Sequence, residues 1–221
     1  MRPLTFTKPK FLLPVGGKPS LDHVLNLLKK AKIDQVALVV GFGREQIMER
    51  YGDGLKLGLK IEYLHQKKLL GTADAVSQAE KFIGDDNFVV MNGDTLVDQE
   101  SLNSIMKCHD KTCGGKGFGG VMGTIEVEDT EQFGIVMMKG DKVEKIVEKP
   151  KKSKSKLANA GVYLFSPAIF KAIKKTKKST RGELELTTSI QIMINEGLHV
   201  HTAPLNLWAD IGRPWDLLFA N

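Results

Sequence analysis

The sequence predicts an α/β fold, a Rossmann-like mixed and mainly parallel sheet with helices on both faces. Three observations point there. Residues 36–40 (Val-Ala-Leu-Val-Val) and 88–91 (Phe-Val-Val-Met) are unbroken apolar runs. Strands covered on both faces carry such runs. Amphipathic stretches alternate with them through the first half of the chain, and β-α alternation implies parallel strands joined by crossover helices. Third, the strand 88–91 runs into Asn92-Gly93-Asp94. Ligands of open α/β sheets bind beyond such strand ends.

Residues 1–19 hold no periodic segment. They carry four prolines (Pro3, Pro9, Pro14, Pro19), three lysines and Gly16-Gly17. They read as an extended loop dipping Phe11, Leu12, Leu13 and Val15 into a core. A long irregular stretch in a compact domain is usually functional or disordered, and disorder would not need that apolar run. Ser20 reads as the cap of a helix over 21–31, with Leu21, Val24, Leu25 and Leu28 on one face. A strand over 36–40 ends on Gly41-Phe42-Gly43. A short helix over 45–51 closes on Gly52, and a strand over 59–65 ends near Gln66. Gly71-Thr72 opens a helix over 73–82 whose N-terminus offers N–H groups to an anion. The strand ending at Asp94 precedes a helix over 99–110.

After Gly114 the texture turns Gly-rich and β-rich. Strands are expected over 118–127, 134–138, 143–147 and 162–165, then a helix from Pro167 to about residue 175 and another over 186–196. Strands over 200–204 and 207–210 and a helix over 214–220 close the chain. Residues 151–156, Lys-Lys-Ser-Lys-Ser-Lys, are the one low-complexity piece.

A chain of 221 residues with 42% hydrophobic content suits a single domain over 1–221. Its 32 basic and 26 acidic residues give a net charge of +6. That excess suits phosphorylated small molecules. The lysine clusters at 151–156 and 171–178 lack the interleaved aromatics of a nucleic-acid surface and read as solvated faces, so no nucleic-acid partner is expected. No apolar run approaches a membrane span and the N-terminus has no signal core. With only two cysteines, Cys108 and Cys113, the expected setting is the reducing cytoplasm. Those cysteines flank His109 and Asp110 but lack the second ligand cluster that a zinc site needs.

Four features bear on chemistry. Lys8 and Lys10 lie on the leading loop, Asp94 at a strand end, Glu148-Lys149-Pro150 after another strand, and Asp210-Ile211-Gly212 after the last. Each has a plain alternative: Asn92-Gly93-Asp94 and Asp210 as turns, Glu148 and Lys149 as an exposed ion pair worth little. Together they form another pattern. Mg²⁺ is commonly held by one or two carboxylates plus substrate phosphates, lysines suit phosphates as point charges, and phosphoryl or nucleotidyl transfer is mostly positioning and charge stabilisation.

The chain resembles the sugar-phosphate nucleotidylyltransferases, the NDP-sugar pyrophosphorylases. The matching stretches are Arg2-Pro3-Leu4-Thr5, Thr7 to Val15, Gly17-Lys18-Pro19, Gln66 with Leu70-Gly71-Thr72-Ala73, and Asn92-Gly93-Asp94. They continue with Phe133-Gly134-Ile135-Val136, Glu148-Lys149-Pro150, Asn159 to Tyr163, and Trp208 to Gly212. They span nearly the whole chain in order.

The resemblance implies that an NTP and a hexose 1-phosphate give an NDP-sugar and pyrophosphate with Mg²⁺, dTTP or UTP being the expected donor. It implies Lys10 and Asp94 as catalytic residues and Asp94 and Asp210 as Mg²⁺ ligands. Arg2, Gln66, Gly71, Thr72 and Gly93 would bind the nucleotide, and Gly134, Glu148, Lys149 and Asn159 the sugar phosphate. A homo-oligomer is compatible with it. Alternatives are a non-catalytic sugar-nucleotide-binding or regulatory subunit, and GTP with mannose 1-phosphate. The family carries a first central strand and a Gly-rich loop ending in Gly-Thr-Arg ahead of the Arg-Pro-Leu-Thr segment. The chain is therefore expected to be cut at its N-terminus, a short form without that loop being the competing reading. A C-terminal β-helix often follows in similar enzymes. Thr188 stands where relatives often carry Asp.

Overall fold

The computed structural model describes residues 1–112 and 117–221. The Cys108/Cys113 reading falls outside the residues whose side chains are described. A 3-10 turn at Lys10–Leu12 leads to a hairpin of β1 (Pro14–Val15) and β2 (Lys18–Pro19), turned by Gly16 and Gly17 at φ 55° and 76°. Then come α1 (Ser20–Lys30), β3 (Gln35–Val40), α2 (Arg44–Tyr51), β4 (Lys60–His65), α3 (Thr72–Ser77) and α4 (Glu80–Ile83). Next are β5 (Phe88–Met91), β6 (Thr95–Val97), α5 (Gln99–Thr112), β7 (Phe118–Glu126), β8 (Gly134–Lys139), β9 (Lys142–Glu148) and β10 (Leu157–Phe165). The chain closes with α6 (Ala168–Lys175), α7 (Leu186–Asn195), β11 (His199–Pro204), β12 (Trp208–Asp210) and α8 (Asp216–Ala220). Among the described residues no helix is long and apolar enough to cross a membrane.

The main sheet has six strands in the order β5-β10-β7-β11-β9-β8. Strands β5, β7, β8 and β11 share one direction and β9 and β10 oppose it, as the ladders show. The sheet is mixed, as expected, and most strands run one way. Most of its ladders are nevertheless antiparallel, because the two opposed strands lie between others, β10 between β5 and β7 and β9 between β11 and β8. Strands β3 and β4 form a separate parallel pair, and β6 pairs with β12.

Helices cover both faces because side chains alternate along each strand. On β7 and β10, Val121, Val162 and Leu164 join a core with α1 and α5, while Met122, Tyr163 and Phe165 join a second core with α3, α6 and α7. Phe165, Leu102, Ile105 and Ile190 are fully buried at these two seams.

Local departures have local causes. Pro19, not Ser20, caps α1; the Ser20 hydroxyl donates to the carbonyls of Phe11 (3.2 Å) and Gly93 (3.4 Å), tying the leading loop to the end of β5. The single helix expected over 73–82 is two pieces, interrupted at Gln78 and Ala79. Strand β10 begins five residues earlier than expected, at Leu157, and runs through Gly161, which sits at φ 75° at a register shift within the strand.

Candidate active site

Residues 9–12 carry the first functional side chain. Pro9 is buried beside Gly43, where a Cβ would lie 2.5 Å from its ring, and the Phe11 ring lies 3.0 Å from where a Cβ on Gly93 would be. A side chain at Gly93 would press on the Phe11 ring, which would have to give way. These two contacts bring Lys10 to the end of β5, where its ammonium pairs with the Asp94 carboxylate, both partly buried. Asp94 sits in the tight connection from β5 to β6, closed by the Thr95 N–H donating to the Asn92 carbonyl at 3.1 Å.

Strand β12 delivers the second carboxylate. Its Asp210 stands opposite Thr95 in the ladder with β6, and the Ile211 N–H donates to the Asp94 carbonyl at 3.1 Å. Residues 94 and 210, far apart in sequence, therefore meet. Burial pushes the Asp210 carboxyl up to about 6, reinforced by the negative charge of Asp94 and opposed by Lys10 and Lys149. Two carboxylates repelling each other in a half-buried position form an oxygen-donor pair suited to a hard cation. Among the described residues no group of three or more His, Cys, Asp or Glu gathers, so any cation here would depend on substrate oxygens to complete its shell.

A second group forms where β8 and β9 end. Gly134 pairs with Glu148 across that ladder, and a Cβ on Gly134 would lie 2.9 Å from the Thr187 methyl and 3.2 Å from the Glu148 carboxylate. Asn159 is 3.6 Å from the same point. Glu148 accepts from the Thr187 hydroxyl (3.0 Å) and the Arg181 guanidinium (3.2 Å). Its carboxyl is raised by burial, partly offset by the Thr187 hydrogen bond. The Asn159 amide donates to the Tyr163 hydroxyl at 2.7 Å, and its oxygen accepts from the Gly161 N–H at 3.2 Å. Lys149 adopts φ 43°, uncommon for a residue with a side chain, held by its N–H donating to the Phe133 carbonyl at 3.0 Å. Its positive charge lowers both the Glu148 and the Asp210 carboxyl, so Lys149 is within electrostatic reach of both groups.

Gln66 and Gly71 form a third corner. The Gln66 amide donates to the Gly71 carbonyl (3.1 Å) and to Asp74 (2.8 Å). Gly71 is at φ 119°, and a Cβ there would meet the Leu184 backbone at 2.6 Å. Residues 184–186 lie across the start of α3: the Ala73 N–H donates to the Leu184 carbonyl (2.9 Å), and the Leu186 N–H to the Thr72 hydroxyl (3.0 Å). The expectation of open N–H groups at this helix start is corrected at Ala73, which is bonded. Arg2 is exposed, with its guanidinium 5.5 Å above the Phe6 ring of the same segment.

Sequence reasoning missed Arg181, Thr187 and Glu185. Buried Glu185 receives Arg181 (2.8 Å) and the Ser179 hydroxyl (2.9 Å). An available signal was Arg181-Gly182-Glu183-Leu184-Glu185, a charged stretch leading into an apolar helix.

Residues 1–221 match the model of the Nucleotidyl transferase family, so the chain belongs to that family. It is 38% identical to the low-salt glycan biosynthesis nucleotidyltransferase Agl11 of Haloferax volcanii, matching all of this chain and 61% of that protein. It is 37% identical to the bifunctional protein GlmU of Methanocaldococcus jannaschii, over all of this chain and 50% of that one. Against a glucose-1-phosphate thymidylyltransferase of Streptomyces antibioticus the identity is 36%, over 100% and 62% of the two chains. The chain thus spans about half to three-fifths of these relatives. Its fold matches a Bacillus anthracis structure assigned as a glucose-1-phosphate thymidylyltransferase, in complex with a sucrose, with TM-score 0.89 and 30% identity over 100% and 88% of the chains. A UDP-glucose pyrophosphorylase complexed with UDP-glucose shares the fold alone, at TM-score 0.85 and 22% identity over 100% and 91%.

Proposed function

We propose that the site transfers a nucleotidyl group from an NTP, dTTP or UTP, to a hexose 1-phosphate. A phosphate oxygen of the sugar 1-phosphate attacks the α-phosphorus, the bond from that phosphorus to the bridging oxygen breaks, and pyrophosphate leaves. The observation that carries this reading is the meeting of Lys10, Asp94 and Asp210 from three separate elements, with Lys149 close enough to act on both Asp210 and Glu148.

Asp94 and Asp210 are the residues that would hold Mg²⁺, which supplies charge neutralisation to the phosphates. Lys10 is the cation of the pair. Phosphate oxygens compete with Asp94 for its ammonium, and as a point charge it follows charge building on the α-phosphate. Lys149 is placed to meet the phosphate of the sugar. Glu148 and Asn159 offer an acceptor and an amide to sugar hydroxyls, and Gly134, lacking a Cβ, leaves the room that the Thr187 methyl and the Glu148 carboxylate occupy. Gln66, Gly71 and Thr72 form the edge offered to the base, and Arg2 the exposed cation of the leading segment. The expected setting is the cytoplasm.

The test is product formation across four NTPs and several hexose 1-phosphates, with Mg²⁺ and with EDTA, beside Asp94→Asn. NDP-sugar formed with dTTP or UTP and lost in the variant supports the reading. NDP-sugar binding without pyrophosphate exchange would point to a regulatory subunit instead, and turnover confined to GTP and mannose 1-phosphate would overturn the donor assignment.

A further inference from the structure

Two elements hold Gln66. Its backbone N–H donates to the Val40 carbonyl at 3.0 Å, which carries the β3–β4 ladder one residue past the end of β4 and fixes the backbone there. Its side chain crosses to the first turn of α3, where Nε2 donates to the Gly71 carbonyl (3.1 Å) and to an Asp74 carboxylate oxygen (2.8 Å). Both acceptors sit on a braced turn. The Gly71 carbonyl also accepts the Ala75 N–H at 3.1 Å, the opening bond of the helix. The Asp74 carbonyl accepts the Ser77 hydroxyl (2.7 Å) and the Gln78 amide (3.1 Å). The helix is tied in turn to residues 184–186 through the Ala73 N–H and the Thr72 hydroxyl.

The chemistry of the two partners decides which way this amide faces. A backbone carbonyl and a carboxylate accept hydrogen bonds and cannot donate them. The NH₂ end of Gln66 must therefore point at them, and Oε1 turns away from α3. Both amide hydrogens are spent inside the protein, so the side chain offers a ligand an acceptor and no donor. The Gly71 carbonyl takes one hydrogen and Asp74 the other, the second bond being the charge-assisted and stronger one. A flipped amide would set Oε1 against that negative charge.

We propose that Asp74 is a positioning residue that selects the base of the donor nucleotide through Gln66: with Oε1 turned outward, the site takes bases that carry a hydrogen on the ring nitrogen of their pairing edge. Thymine, uracil and guanine have that N–H. Cytosine and adenine have a bare acceptor nitrogen in its place, and against Oε1 it would bring two lone pairs together and leave both acceptors unpaired. The inference rests on the reading of Gln66 as a residue that meets the base. It holds for pyrimidine and purine alike, because the selected feature is the ring N–H. An acid in the first turn of a helix has a plainer use, facing the positive end of the helix dipole. That use needs only the charge and takes no part in which base is bound.

The test measures equilibrium binding and NDP-sugar formation side by side for the 221-residue chain and for Asp74→Ala and Asp74→Asn. The ligands are two pairs of NTPs that differ in this feature, UTP with CTP and GTP with ATP. The wild type is expected to prefer the member with the ring N–H. Asp74→Ala frees the amide to turn over and should cut that preference about tenfold, by weaker binding of the preferred member and tighter binding of the other. Asp74→Asn keeps an acceptor oxygen for Gln66 while losing the charge, and should restore most of the preference. Wild-type binding that is equal within both pairs overturns the proposal. So does a lower melting temperature in both variants with the binding ratios unchanged, the result of a purely structural role. The two readings fail separately. A preference that Asp74→Ala loses, in a chain that forms no NDP-sugar, upholds Asp74 and refutes the transfer reaction. Turnover with unchanged ratios in Asp74→Ala refutes Asp74 and leaves the reaction standing.

Discussion

The Lys10 end and the Glu148 end of the site are built on opposite principles. At the first, burial and the charge of Asp94 push the Asp210 carboxyl up to about 6, against the pull of Lys10 and Lys149. At the second, the Arg181 guanidinium is shared among Glu148, Glu183 and Glu185, so charge is no better balanced, but Glu148 and buried Glu185 each accept hydrogen bonds, Glu148 from Thr187 and Arg181 and Glu185 from Arg181 and Ser179. One end is left electrostatically unfinished, as suits groups that must exchange partners when phosphates arrive. The other is a satisfied network that holds a pocket shape before any ligand enters.

The sharpest way to break this contrast is at Asp94. Replacing Asp94 by Asn removes one charge from the unfinished group and is expected to lower kcat by roughly 10² or more while the sugar-phosphate KM changes little. Lys10→Ala is expected to behave alike. Near-normal kcat in both would remove the Lys10 end from the chemistry. Glu148→Gln tests the other end. It keeps the shape but loses the charge that Arg181 and Thr187 were arranged around, and should raise the sugar-phosphate KM about tenfold with a smaller change in kcat. An equal fall in kcat alone would put Glu148 in the reaction rather than in recognition.

An intermediate effect separates the two ends by pH. The Asp210 carboxyl is raised above its unfolded value of 3.8 to about 6, first by burial and then by Asp94. Between those values the native state holds the extra proton, so the contribution of this group to stability falls as pH rises through the window and stays low above it. Asp210→Asn removes that loss. The variant should gain on the wild type from pH 4 to 6 and then run parallel, by on the order of 2 kcal/mol. Melting temperatures of both proteins from pH 4 to 8 check it. A constant difference would mean that Asp210 does not titrate there.

The sequence made some of this contrast legible and hid the rest for a physical reason. Strands β3 and β5 and helix α1 were visible because apolar runs and helical periodicity are local signals. Asp94 and Asp210 were visible as carboxylates at strand ends. Their meeting was implied by the family resemblance, but the β6–β12 ladder that brings it about was not visible, because Thr95-Leu96-Val97 is too short to announce a strand. The partners of Glu148 were missed because Thr187 sits in a helix where it reads as an ordinary apolar-face residue, and Arg181 sits in a connecting segment. Ser20 reads as a cap but is drawn instead to the Phe11 and Gly93 carbonyls. That contact exists only once the leading loop has crossed the sheet.

The smallest effect lies inside the satisfied network, at Thr187. Its methyl packs where a Cβ on Gly134 would fall, and its hydroxyl donates to Glu148 at 3.0 Å. Thr187→Val keeps the shape and removes only the donor. The Glu148 carboxyl, already raised by burial, then loses the hydrogen bond that holds it down and rises further. Its raised value already makes stability fall with rising pH, so the variant should fall more steeply, at a cost of about 1 kcal/mol at neutral pH and almost none in acid. Turnover should change less than threefold, because Arg181 still neutralises the carboxylate. Chemical denaturation at pH 4 and pH 7 measures the difference. A cost equal at both values would mean that the hydroxyl serves the packing around Gly134 and not the charge on Glu148.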